Sequence, residues 1–233
     1  PSVIIEHSSI PGISGGEVIH GKDLVAPGWL ILRQNTFGKA SNGGDVIDYT
    51  GAEAPGPVLQ IIDNVFMGGD DDGLDLDGTD AFVSGNIFMD FRKNPSNTRA
   101  TTSNAIATGL PQTGAPNRTR VTAVRNLFLN CDHAILLKEE AFLTAENNTF
   151  VGMKEAVIQF NETGGTSVRG PGKGAILEGN IFWENATMFK YLIETTELTV
   201  NHCLIETGFH DRGIANFQSD PGFVDPVNSD DSI

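Results

Sequence analysis

Six carboxylates crowd into the eleven positions from Asp70 to Asp80: Asp70, Asp71, Asp72, Asp75, Asp77 and Asp80. Such a density has two chemical uses. Several hard oxygen donors converging from one face suit Ca²⁺, which takes about 6–8 oxygens at roughly 2.3–2.6 Å. Carboxylates this close also raise one another's pKa values and can serve directly as acids or bases. A third reading involves no chemistry: a solvated acidic ridge that marks a turn and discourages aggregation. Alternation puts Leu74 and Leu76 inside a strand, so Asp75 and Asp77 project from its other face.

The elements that must position these acids follow from a recurring phrase, Asn-x-Phe. It occurs at Asn35, Asn64, Asn86, Asn126, Asn148 and Asn180, with degenerate copies at Ser8-Ser9-Ile10 and Cys203-Leu204-Ile205. The intervals between starts are 27, 29, 22, 40, 22, 32 and 23 residues. Repetition on this scale marks a stack of similar units, none able to bury its apolar face alone. Each anchor closes a short alternating segment such as Leu59-Gln60-Ile61-Ile62, and a second follows about ten residues later, such as Val46-Ile47-Asp48-Tyr49. Helical periodicity is nearly absent. The pattern predicts an all-β, right-handed parallel β-helix, a single-stranded solenoid of about eight coils, with residues 1–233 forming one domain. The anchor phenylalanines would pile in one internal column, and the anchor asparagines would bond neighbouring backbone groups.

Stacking then sets the acids in register. Matching Ile47, Leu74, Ile106, Ile135 and Ile158 as inward residues puts Asp48 beside Asp75, one coil away at about 4.8 Å. Asp45 falls beside Asp72, followed by Asn104 and His133. Like charges this close repel unless they share a cation. The expected metal ligands are therefore Asp45, Asp48, Asp72, Asp75 and Asp77, and the expected ion is Ca²⁺.

Charge narrows the partners. Thirty acidic against 15 basic residues leave a net charge of −15, which argues against nucleic acid and against anionic membrane surfaces. No apolar run reaches the ~20 residues of a membrane helix. Cys131 and Cys203 sit three units apart, and a disulfide is not expected. The interval of 40 carries an insertion, Phe91 to Arg99, expected to emerge as a loop beside the acidic face. Its cations Arg92, Lys93 and Arg99 either bind an anionic sugar polymer or neutralise the ridge. His133 is a candidate base, because an unperturbed imidazole titrates near neutral pH.

The anchored repeats, the acidic stretch and the closing Ser219-Asp220-Pro221-Gly222-Phe223-Val224-Asp225-Pro226 resemble secreted bacterial proteins of the pectin-lyase-like right-handed β-helix superfamily. That resemblance implies secretion or display on a bacterial surface. It also implies a carbohydrate-associated module binding acidic polysaccharide, with calcium-dependent lyase activity as an extension. In calcium-dependent lyases of the superfamily the base is typically a Lys or Arg near the ion, which points to Lys138, Arg92 and Arg99 beside His133. The closing phrase, like the opening inside the strand-like Val3-Ile4-Ile5, implies a piece of a longer polypeptide with flanking modules. Of the polygalacturonase pattern N-T-D, D-D, G-H-G and R-I-K, only paired aspartates are present. Asn42-Gly43-Gly44-Asp45-Val46-Ile47 is similar to a calcium-binding strand of the alginate-lyase group, but the Lys-Ser and Arg that should follow are missing. The alternative is a non-catalytic structural or adhesive surface rod.

Overall fold

A computed structural model describes residues 2–22, 28–52, 59–96, 102–111, 119–162, 170–206, 208–209 and 213–224. Among them there is no helix, and hence none long and apolar enough to cross a membrane. The strands form two eight-stranded sheets, one seven-stranded sheet and one two-stranded sheet, and every pairing between strands is parallel. The chain visits the three large sheets in turn. The first runs from Ser2–Glu6 to Glu197–Asn201, the second from Ser9–Ile10 to Leu204–Ile205, and the third from Ile19–Lys22 to Phe189–Lys190. Each strand therefore pairs with its counterpart in the next repeat, which is a solenoid-like arrangement.

Local sequence explains the winding. The strands alternate buried and part-exposed side chains, as in Leu59–Ile62 and Leu74–Asp77. Between the first and second sheets the chain turns on one residue just before each anchor. His7, Gln34, Asp63, Gly85, Arg125, Asn147, Gly179 and His202 all have φ between 50° and 70°. Only two are glycine, so six side chains accept the left-handed region that branched residues avoid.

The core is stacked in columns. Phe37, Phe66, Phe88, Phe128, Phe150 and Phe182 form a continuous pile with centroid separations of 4.6 to 5.2 Å and near-parallel planes. Beside it runs an asparagine ladder. The Oδ1 of Asn126 accepts the backbone N–H of Asn86 at 2.9 Å and its Nδ2 at 3.0 Å. The Nδ2 of Asn126 donates to the Val83 carbonyl at 2.9 Å. The same pattern links Asn35 through Asn180. Cys203 closes the ladder, its Sγ accepting from the Asn180 N–H at 3.4 Å. Both cysteines are buried and unbridged.

The third sheet carries the acids. Its inward column is Ile19, Ile47, Leu74, Ile106, Ile135, Ile158 and Phe189, paired directly from strand to strand. The sequence-based alignment of these strands is thus the observed register. Phe91 departs from expectation. It does not open a surface loop but lies fully buried, 6.4 Å from Phe88 by ring centroid. It packs against Gly73, where an added Cβ would come within 2.8 Å of its ring.

Candidate functional site

The acidic turn is built by its own side chains. Both oxygens of Asp70 accept backbone N–H groups of the adjacent repeat, from Asn42 and Gly43, each at 3.0 Å. Asn42 and Gly43 both have positive φ, a geometry that turns their N–H groups toward an anion. Asp70 therefore staples two turns together.

Asp45, Asp72 and Asn104 form a relay along one corner. Asp45 Oδ1 accepts the Asp72 N–H at 3.0 Å. Asp72 Oδ1 accepts the Asn104 N–H at 3.1 Å and its Nδ2 at 2.7 Å. One oxygen each of Asp45 and Asp72 is engaged this way, and the other makes no hydrogen bond among the described residues. One carboxylate oxygen from each of Asp45, Asp71 and Asp72 lies within 4.8 Å of the other two. A second group, Glu17, Asp45 and Asp48, meets the same limit. Asp48 is held by His20, with Oδ2 at 2.9 Å from Nδ1.

Two full charges 4.8 Å apart repel by about 3.5 kcal/mol at an effective dielectric near 20. The pKa values register that strain. Burial and then the Asp71 charge push Asp45 up to about 7, against the opposing Asp72 N–H. Burial and the Asp70 charge raise Asp71 to about 6, although Lys93 and Lys138 pull the other way. Asp72 and Asp75 keep part of their surface in solvent, yet their carboxyl groups sit among protein atoms. Burial first, then neighbouring acids, raises both well above the ordinary range. Asp77 rises to about 6 through burial, with Lys138 opposing.

Of the five expected ligands, Asp45 and Asp72 meet in one group and Asp45 and Asp48 in the other. Asp75 is in register beside Asp48 but belongs to neither trio, nor does Asp77. Glu17 and Asp71 were not among the expected ligands. Glu17 was findable: it stands two residues before Ile19, as Asp45 stands before Ile47 and Asp72 before Leu74. Asp71 carried no such signal, because the turn conformation decides where it points.

The expected cations are placed as follows. Lys138 Nζ lies 2.7 Å from Glu162 Oε1, with both side chains about four-fifths covered. Burial alone would lower the Lys138 pKa, but Glu162, Asp75 and Asp77 outweigh it and hold the amine above its usual value. At neutral pH Lys138 is thus a charge neutraliser. Lys138→Met is expected to destabilise the fold by about 3 kcal/mol at pH 8, by leaving Glu162 and the acids uncompensated, and by less at pH 5. Denaturant titration at the two pH values checks this. Arg92 is tied to Asn130, donating from Nε to its carbonyl at 2.8 Å and from its guanidinium to Oδ1. Lys93 donates its backbone N–H to Asp132 Oδ2 at 2.7 Å. Arg99 lies outside the described residues. His133 is buried, and burial and then the Lys190 charge lower its pKa to about 4.

Comparison with protein families, with curated proteins and with solved structures finds no match.

Proposed function

We propose that this chain is a right-handed parallel β-helix of about eight coils acting as an extracellular, carbohydrate-associated module of a bacterial surface or secreted protein. In this reading it binds an acidic polysaccharide through Ca²⁺ held at Asp45, Asp71 and Asp72. The supporting observation is the convergence of those three carboxylates, each raised in pKa by burial and crowding. A divalent cation would relieve that repulsion, and the donors are the hard oxygens Ca²⁺ takes. Three carboxylates fill about half of its coordination shell, leaving places for water and a sugar carboxylate. Asp48, Glu17, Asp75 and Asp77 add negative potential around the ion. Lys93 approaches from the Asp71 side, where it would meet the polymer.

Binding is the core of the reading and β-elimination an extension. A lyase needs a group able to take the proton at C5 of a uronic acid. Lys138 is held protonated, Arg92 is occupied by Asn130, and His133 is a weak base with a pKa near 4. One observation favours the alternative of a structural surface rod: Asp70, the most buried acid of the stretch, spends both oxygens on stapling adjacent turns.

Calorimetric titration with CaCl₂ at pH 7.5 tests the proposal. One saturable site is expected, with affinity in or above the range of roughly 10⁻⁴–10⁻³ M common for extracellular modules. Asp45→Asn keeps an acceptor for the Asp72 N–H and should weaken binding at least tenfold, about 1.4 kcal/mol. No heat at about 5 mM Ca²⁺, well above that range, removes the site and leaves the rod.

A further inference from the structure

His133 and Gln159 are the least explained polar groups in the molecule. Both are almost wholly covered, at 3% and 1% exposure. Neither ring nitrogen of His133 makes a hydrogen bond, and neither does Nε2 of Gln159. The Ser103 carbonyl and the Gln159 amide approach the imidazole without closing one. Leaving a buried polar group unpaired costs about 1–3 kcal/mol, so three such atoms in one place call for a partner.

His133 and Gln159 are among the residues lining a cleft of about 270 Å³. That is just below the roughly 300–1,000 Å³ typical of drug-sized ligands, and leaves room for one ring rather than an oligomer. The half-exposed ring of Tyr191 stands at its rim, and Thr102 and Ser103 complete the lining, the Ser103 hydroxyl being spent on the Asp71 carbonyl at 2.8 Å. Charges around the cleft cancel. Lys190 is paired with Glu155, and Asp132, which accepts the Lys93 backbone N–H, matches Lys93 in formal charge. The imidazole is neutral at physiological pH and offers one donor and one acceptor. Formal charges of the lining sum to zero, so a carboxylate would find no unmatched cation here. A ring bearing several hydroxyls would find donors, acceptors and an aromatic face for its C–H side.

We propose that this cleft binds a single neutral pyranose unit. The cleft adjoins the acidic corner. Asn104, which holds Asp72, pairs in register with His133, so the imidazole stands two strands from Asp72, about 10 Å away. Where the cation site engages a uronate, the cleft would take a neutral neighbour in the same chain, which makes the polymer a mixed neutral and acidic one. The polymer assignment rests on the function proposed above, whereas binding of the neutral ring does not.

NMR of the His133 imidazole nitrogens and the Gln159 amide, without calcium, tests this. The probes are the methyl pyranosides of glucose, galactose, mannose and N-acetylglucosamine, up to about 100 mM because single rings bind weakly. At least one should give saturable shifts at both residues. Gln159→Leu should weaken that binding at least tenfold, with the phenylalanine ring signals unchanged. Should that variant misfold, Tyr191→Ala at the exposed rim should weaken it likewise. No saturable shift from any glycoside, shifts unaltered in the folded variants, or equal binding of methyl glucuronide would overturn the proposal. Calcium titration of the same sample separates the two claims: glycoside binding without calcium binding would fail the cation site and spare this one.

Discussion

Phe128→Ala is expected to lower the folding free energy by about 3–5 kcal/mol, the usual cost of removing a buried ring. Phe128 sits mid-column, 5.2 Å from Phe88 and 4.8 Å from Phe150 by ring centroid, and is fully covered. Truncation removes two stacking contacts, each worth about 0.5–1.5 kcal/mol beyond burial, and opens a cavity between repeats. At this chain length the melting temperature should fall by about 6–20 °C. Asn126→Ala should approach the same loss by another route. It orphans the Asn86 N–H and the Val83 carbonyl, at about 1–3 kcal/mol for each buried group. Thermal and denaturant unfolding of both variants measure the effect. A loss below about 1 kcal/mol for Phe128→Ala would mean that the column fills space without holding the repeats together.

Without divalent cations the protein is expected to lose stability as pH rises from 6 to 8. The sign follows from the direction of the shifts. Asp45 is raised from 3.8 to about 7, Asp71 and Asp77 to about 6, and Asp72 and Asp75 well above 3.8. In the unfolded chain these groups ionise near pH 4, so above that pH the unfolded state has released protons the folded state retains. Stability therefore falls through the window between the two pKa values and levels off above the folded one. One pKa unit corresponds to about 1.4 kcal/mol, so the cluster should cost a few kcal/mol across this range. His133 works in the opposite direction, its pKa lowered from 6.5 to about 4, and it penalises the fold only below its ordinary value. The interval from pH 6 to 8 largely avoids that contribution. Calcium at a hundredfold excess over its Kd should restore about 2.7 kcal/mol at pH 8 and much less at pH 5, where protons already neutralise the site. A stability that is flat or rising from pH 6 to 8 in chelator, with no response to calcium, would contradict the crowding described here.

Much of this architecture was legible because it is periodic. The Asn-x-Phe phrase locates one sheet and its aromatic column, and alternation around Leu74 identifies which residues face inward. Together they place Asp48 beside Asp75, which is the observed pairing. The parts that escaped are those where side chains shape turns. Asp71 joins Asp45 and Asp72 from a turn in which its neighbour Asp70 fastens its own carboxylate to Asn42 and Gly43. Phe91 reads as the start of a polar insertion, yet it fills the space beside Gly73. Arg92 reads as a cation for a ligand, but a carbonyl 38 residues away captures it. Ala107, Leu136 and Gln159 share the outward column of Asp75 and are nonetheless buried, which no two-residue alternation predicts.

The proposed cation site is tested most directly by anomalous diffraction from crystals grown in millimolar calcium. A peak is expected within about 2.3–2.6 Å of carboxylate oxygens from Asp45, Asp71 and Asp72, and none in Asp45→Asn crystals grown alike. A map with no peak at that corner, or with calcium bound only elsewhere on the molecule, would contradict it.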